Sequence, residues 1–293
     1  MPTSFSSLTR RTVLAVSAAG GAVNRLPTPL AAAAGSNQPS KQGDSQMMFD
    51  TLLVRRENAV LFVDVAAPPM NLLGPEMVRD LVSLIRQAEA DDAIRVLVFK
   101  SADPDYFISH VDVTRIKEYR EEAAKLTGEA SIALLFHHLS ASRLVTIAQI
   151  EGRVRAAGSE FVLACDMRFA ARESAIFSQP EPALGVIPGG GGVQHLARLM
   201  GRARALEVML GAQDYNAELA ERYGWVNRAL PANALGEFVR SLAHRIARPP
   251  ASSRSKIASM RSASRPSRTF VATPISSARA CANPIPKAGC KPR

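Results

Sequence analysis

Apolar residues crowd Thr51–Arg56 and Val60–Val65 on either side of the polar pair Glu57-Asn58, a pattern that predicts two strands in a hairpin-like arrangement. Pro68-Pro69 breaks the run. Gly74-Pro75-Glu76 then opens an amphipathic helix, because Met77, Leu81, Leu84, Ile85 and Ala88 recur at helical spacing. Val96–Phe99 is a short buried strand. Val113–Arg120 and Ser131–Leu139 read as helices, the second strongly apolar on one side. Thr146–Ile150 is a further strand that feeds a loop at Gly152–Gly158, and a helix starts near Ser159. Strands follow at Met167–Ala171 and Ala175–Ser178, then helices at Gly192–Met200, Ala203–Leu210 and Ala217–Tyr223. Val226–Leu230 is a last short strand before a helix ending near Ala247. Strands alternating with helices predict an α/β sheet packed by helices.

Two acids stand out against this frame. Glu160 follows the small-residue stretch Ala156-Ala157-Gly158-Ser159 at the start of a helix, and Glu181 lies between Pro180 and Pro182 on a stiff loop. Two carboxylates brought to one pocket can act as a general acid and base on one water. A small-residue turn that opens a helix can offer backbone N–H groups to a developing oxyanion. Taken singly, Glu160 is also explained as an acid favoured by the helix dipole, and Glu181 as an exposed loop acid.

Several ordered pieces of the chain carry a resemblance. Asn71-Leu72-Leu73, Phe107-Ile108-Ser109-His110-Val111-Asp112, Gly158-Ser159-Glu160 with Cys165-Asp166, Gln179-Pro180-Glu181, and Ile187-Pro188-Gly189-Gly190-Gly191-Gly192-Val193-Gln194 follow one another in sequence. In this order, over residues 49–244 and about two thirds of the chain, they resemble the crotonase family of enoyl-CoA hydratases and isomerases. The resemblance implies a spiral of ββα units, with a C-terminal helical region that is truncated or altered here. It implies an enzyme that adds water to, or moves a proton on, an acyl-CoA thioester, with coenzyme A as part of that substrate and no separate cofactor. It implies a homo-oligomer, a trimer or hexamer in the family. By position, the backbone N–H groups of Val111 and Ala157 would form the oxyanion hole, and Glu160 and Glu181 would be catalytic. His110, Gly158, Pro188 and Gly189 would lie close enough to touch the substrate. Both glutamates being present favours hydration of a 2-enoyl-CoA.

The chain departs from the family pattern at two places. Ser109-His110 stands where the family has Ala-Gly, and Ala156-Ala157 where it has a glycine pair. Wherever a glycine's positive φ is required, a side chain strains the backbone. Two other readings stay open: a non-catalytic crotonase-like protein used in binding or assembly, and a thioester hydrolase or decarboxylase that uses His110.

Charge changes the picture at the ends. The chain of 293 residues carries +10 overall. The first 48 residues hold +3 and the last 45 hold +9, which leaves the segment between them at −2. A near-neutral body argues against nucleic acid as a partner. Four segments follow: a signal-like extension at 1–48, a crotonase-like core at 49–211, a C-terminal helical segment at 212–248, and a basic low-complexity tail at 249–293. Arg10-Arg11, an apolar run to Val23 and a small-residue region resemble a twin-arginine export signal. Export would follow if it is used, and a cytoplasmic location if translation starts at Met47 or Met48. The apolar run is too short to span a bilayer. The tail lacks any acid and any sustained period, as a shifted reading frame near Pro249 would produce; a basic arm is the competing reading.

The remaining candidates have structural readings. Cys165 reads as a small buried hydrophobe, and Cys281 with Cys290 as an optional disulfide. No Cys/His cluster has metal-ligand spacing. Gly189–Gly192 lacks the lysine and spacing of a phosphate loop. His137, His138 and His195 read as structural or surface residues, and Asp112 as a hydrogen-bond acceptor within its loop. Arg153 and Arg155 read either as solvated surface or as partners for CoA phosphates.

Overall fold

The structure is a computed structural model and describes residues 48–248. The export-type signal, Met47, the basic tail, Cys281 and Cys290 lie outside the described residues.

β1 (Leu52–Glu57) and β2 (Val60–Val65) form the expected antiparallel hairpin, with Asn58 in the left-handed region at φ 56°. α1 (Pro75–Ala90) starts at Pro75, whose missing N–H costs nothing at a helix start. Its Met77, Leu81, Leu84, Ile85 and Ala88 are all buried, each large side chain contributing roughly 1.5–3 kcal/mol. Arg143 closes the far end of α1 by donating to the carbonyls of Ala88, Glu89 and Asp91. The buried Asp80 in α1 accepts the Asp50 and Thr51 N–H groups and so anchors the start of β1.

The chain then repeats one move. β3 (Val96–Ser101) joins the large sheet, β4 (Tyr106–Ile108) a smaller one, and α2 (Ile116–Thr127) and α3 (Ile132–Ala141) follow. β5 (Val145–Ile150) joins the large sheet, β6 (Arg153–Arg155) the smaller one, and α4 (Ala157–Ala164) follows. β7 (Met167–Ala171), β8 (Ile176–Ser178) and α5 (Gly192–Gly211) repeat it again. β9 (Asp214–Asn216) completes the small sheet and β10 (Arg228–Leu230) the large one, around α6 (Ala217–Tyr223) and before α7 (Ala232–Ala247). The large sheet runs β1-β2-β3-β5-β7-β10, parallel after the first hairpin, and the small one β4-β6-β8-β9. Each turn of the chain gives one strand to each sheet and then a helix, so the expected spiral of ββα units is what the described residues adopt.

Two local readings change and one holds. Residues 153–155, read as loop, form β6, because β4 and β8 flank them and supply their hydrogen bonds. α2 begins at Ile116 and not at Val113, because Asp112 Oδ1 takes the Thr114 N–H and hydroxyl and turns the chain first. The two helices expected on either side of Gly201 are kept: the 192–211 element breaks at Gly201, whose φ is 79° and ψ 162°.

Two cores hold the layers. One packs α7, through Leu235 and Val239, against Val60, Phe62, Val96 and Val98 of the large sheet. The other fills the space between the sheets, α1 and α4. Within it Phe161 of α4 meets Phe99 edge-on at 5.1 Å and Phe136 at 5.7 Å between ring centres. The fully buried Arg168 donates to the Cys165 carbonyl at 2.7 Å and the Trp225 carbonyl at 2.8 Å, closing the C-terminal end of α4. The C-terminal end of this short helix is therefore fixed, and Glu160 rides on it.

Candidate active site

Glu160 lies in the first turn of α4 and is only 3% exposed. Its Oε1 accepts the N–H of Gly190 at 2.7 Å and of Gly192 at 2.9 Å. A β-carbon on Gly190 would sit 2.6 Å from Glu160 Oε2, so the glycine is required by close approach. Burial pushes the Glu160 carboxyl up to about 7; the neighbouring Glu181 adds to that push, and the backbone donors oppose it.

Glu181 opens a single 3₁₀ turn, Glu181–Leu184, between its two prolines. It is half-buried, and burial raises its carboxyl above the ordinary range. Gln179 Nε2 donates to Glu181 Oε1 at 2.8 Å, while Glu181 Oε2 is buried without a partner. The two glutamates are thus in electrostatic contact, and the partners that hold them are neutral N–H groups. Gln179, fully buried, was legible only as part of a motif; its role needs the fold that turns its amide back onto Glu181.

Ala157 is the first residue of α4, so its N–H has no partner within the helix. Val111 sits on an isolated bridge to Leu73: the Leu73 N–H donates to the His110 carbonyl at 2.9 Å, and the Asp112 N–H to the Leu73 carbonyl at 3.1 Å. Among the described residues neither the Val111 nor the Ala157 N–H has an intramolecular acceptor. Gly158 brings the two segments together, since a β-carbon there would collide with the Ile108 carbonyl oxygen. α4 therefore starts directly against the end of β4, from which the 109–111 loop leaves.

The substituted positions behave differently. His110 does not have positive φ, and its Nδ1 lies 2.6 Å from the Val111 carbonyl oxygen. That contact makes Nδ1 the protonated nitrogen, since a carbonyl can only accept. Ala156, in contrast, has φ 47° and ψ −122°, a region that suits glycine. Pro188 is buried and Gly189 exposed on the stretch that leads to Gly190. Leu184 and Ile187, 78% and 74% exposed, put apolar surface on the segment after Glu181.

The other candidates have protein partners. Asp112 holds its own loop. Arg153 lies over the Tyr106 ring and Arg155 pairs with Asp214. His138 pairs with Glu89 at 3.0 Å and is half-buried, not a surface residue. His195 is half-buried beside Gly191, and burial lowers its imidazole to about 4. A cavity of about 320 Å³ has Leu72, Gly74, Glu76 and Asp112 among its walls. Its carboxylates would repel a polyphosphate. Among the described residues no cluster of His, Cys, Asp and Glu could hold a metal ion, and no helix is long and apolar enough to cross a membrane.

A family model described as enoyl-CoA hydratase/isomerase matches residues 55–273. The chain belongs to the enoyl-CoA hydratase/isomerase family. A crystal structure described as an enoyl-CoA hydratase from Streptomyces avermitilis is 51% identical, with a TM-score of 0.71, covering 74% of this chain and 78% of that one. DspI of Pseudomonas aeruginosa is 28% identical with a TM-score of 0.65, over 73% of this chain and 88% of its own. These crotonase-fold neighbours share the two-sheet α/β architecture. Among curated proteins, the fatty acid oxidation complex subunit alpha of Shewanella frigidimarina is 31% identical over 194 residues, 65% of this chain and 27% of that protein. The chain therefore spans about a quarter of the length of the curated relatives it matches.

Proposed function

We propose that this protein hydrates a 2-enoyl-CoA, with the backbone N–H groups of Val111 and Ala157 as the oxyanion hole and Glu160 and Glu181 as the acid–base pair. The observation that carries the reading is the pairing of a buried carboxylate, Glu160, with the half-buried Glu181 that acts on it, both held by neutral donors. A carboxyl poised at about 7 can hold or release a proton at neutral pH. An ionised pair locked to arginines could do neither as readily.

In the reaction, the thioester carbonyl accepts the two N–H groups. One glutamate removes a proton from water as the water oxygen bonds to C3. The C2–C3 π electrons move onto the thioester oxygen as an enolate, and the enolate collapses as the other glutamate delivers its proton to C2. Atoms and charge balance without any further reactant. The N-terminal end of α4 adds its dipole to the charge on the oxygen. Each oxyanion donor contributes about 3–4 kcal/mol in sites of this kind. The exposed Leu184 and Ile187 give an acyl chain apolar surface beside the carboxylates. Relatives named as fatty acid oxidation subunits support a fatty acyl thioester as the substrate.

The experiment is loss of the conjugated enoyl absorbance of crotonyl-CoA with purified protein, repeated with Glu160→Gln. Glutamate-dependent loss supports hydration. Binding of the ester without any change in absorbance refutes it.

A further inference from the structure

We propose that Asn71 is a positioning residue for the oxyanion donor at Val111, fixing the chain between β4 and Val111 relative to the start of α4. The inference rests on the hydration site described above and deepens it.

Asn71 is 1% exposed and has φ 51°, a left-handed conformation that asparagine tolerates better than other residues with a side chain. Its Oδ1 accepts the Ala67 N–H at 2.7 Å. Its Nδ2 lies 2.8 Å from Ser101 Oγ and 3.1 Å from each of the Tyr106 and Phe107 carbonyl oxygens. A backbone donor on one side and carbonyls on the other dictate which end of the amide is which. One side chain thus ties together the loop after β2, the end of β3 in the large sheet and β4 in the small sheet.

The consequence reaches Val111 through Leu73. Leu73 follows Asn71 by two residues, and its N–H donates to the His110 carbonyl. That carbonyl belongs to the same peptide group as the Val111 N–H. A hydrogen bond accepted on the oxygen of a peptide polarises the group and strengthens donation from its nitrogen. On the opposite side, Ile108 abuts Gly158. Asn71 therefore holds both the strand that enters the loop and the residue that braces the donor peptide from behind.

The test is the vibrational frequency of the thioester carbonyl in a dienoyl-CoA, isotope-labelled at that carbon and bound to wild type, Asn71→Asp and Ser101→Ala, together with kcat and KM for crotonyl-CoA. Asn71→Asp keeps the acceptor and removes the donors. The expected result is a carbonyl frequency lowered on binding to wild type and lowered less in Asn71→Asp, with kcat reduced roughly 10- to 100-fold and KM changed by less than about threefold. Ser101→Ala, which removes the hydroxyl that accepts from Asn71 and the Asp103 N–H and donates to the Tyr106 carbonyl but leaves the Asn71 bonds to β4 in place, should move both readouts in the same direction by less, and it decides the question if Asn71→Asp does not fold. Variants with wild-type frequency and kcat, but a lower melting temperature, would make Asn71 merely structural and overturn the proposal. An unshifted carbonyl in the wild-type complex would instead overturn the oxyanion reading on which it stands.

Discussion

Gly190 donates its N–H to Glu160 at 2.7 Å and leaves no room for a side chain of its own, since the second oxygen of the same carboxyl fills the place of a β-carbon. The contact joins the first turn of α4 to the segment just before α5, across thirty positions of sequence. Burial withdraws the same carboxyl from water and raises it to about 7, against the opposing pull of this donor and that of Gly192.

Gly190→Ala should therefore be an activity mutation, not a folding one. A β-carbon at 2.6 Å from Glu160 Oε2 and 3.0 Å from the Phe136 ring displaces the carboxyl. Hydration should fall on the order of 100-fold, with a far-ultraviolet circular dichroism spectrum like that of wild type. Unchanged turnover would separate Glu160 from the reaction.

Glu160→Gln should trade activity for stability in a pH-dependent way. The folded carboxyl titrates at about 7 and the unfolded one near the ordinary value of 4.5. A raised acid favours the folded state below the unfolded value, and this contribution disappears as pH rises through about 7. Above that, burial of the charge costs on the order of 3 kcal/mol. The glutamine variant lacks this cost. In urea titrations it should gain on wild type between pH 5 and pH 8, while hydration drops by at least about 100-fold. Equal pH dependence in both proteins would contradict the assignment.

Gln179→Met keeps the volume of the side chain but removes the donor to Glu181 Oε1. The ionised form of Glu181 loses a hydrogen bond, so its carboxyl should titrate still higher. Whichever limb of the pH profile of kcat/KM Glu181 governs should move to higher pH. A profile superimposable on wild type would show that Gln179 does not act on Glu181.

Ala156→Gly should stabilise the protein. Ala156 holds φ 47° and ψ −122°, where a β-carbon is strained and glycine is at ease. Relief of strain should outweigh the extra chain entropy of glycine and give a net gain of about 1 kcal/mol, read as a higher melting temperature. A lower melting temperature would mean that the alanine side chain contributes more through packing than its backbone costs.

The strands of the large sheet and the helices were legible because burial repeats along them with a period that a sequence displays. The apolar run Val60–Val65 and the spacing from Met77 to Ala88 are local facts, and the structure keeps them. The order of short motifs was equally legible and pointed to the family and to Glu160 and Glu181. Of the small sheet, only β8 was. β4, β6 and β9 have three residues each, too few for a period, and they exist because neighbouring turns of the chain supply hydrogen bonds. The substituted loops went the same way. Sequence showed side chains where the family has glycines, but only the backbone angles reveal that Ala156 carries strain and His110 does not.

What the sequence by itself determined was which residues could do acid–base and oxyanion chemistry, because side-chain type and helix starts are local properties. Tertiary structure decided how they are held. The titration of Glu160 near 7 depends on burial and on Gly190 and Gly192. The bracing of Val111 depends on Leu73, and through it on Asn71. These are distances between residues far apart in the chain, and a charge's energy depends on the matter around it, not on its neighbours in sequence.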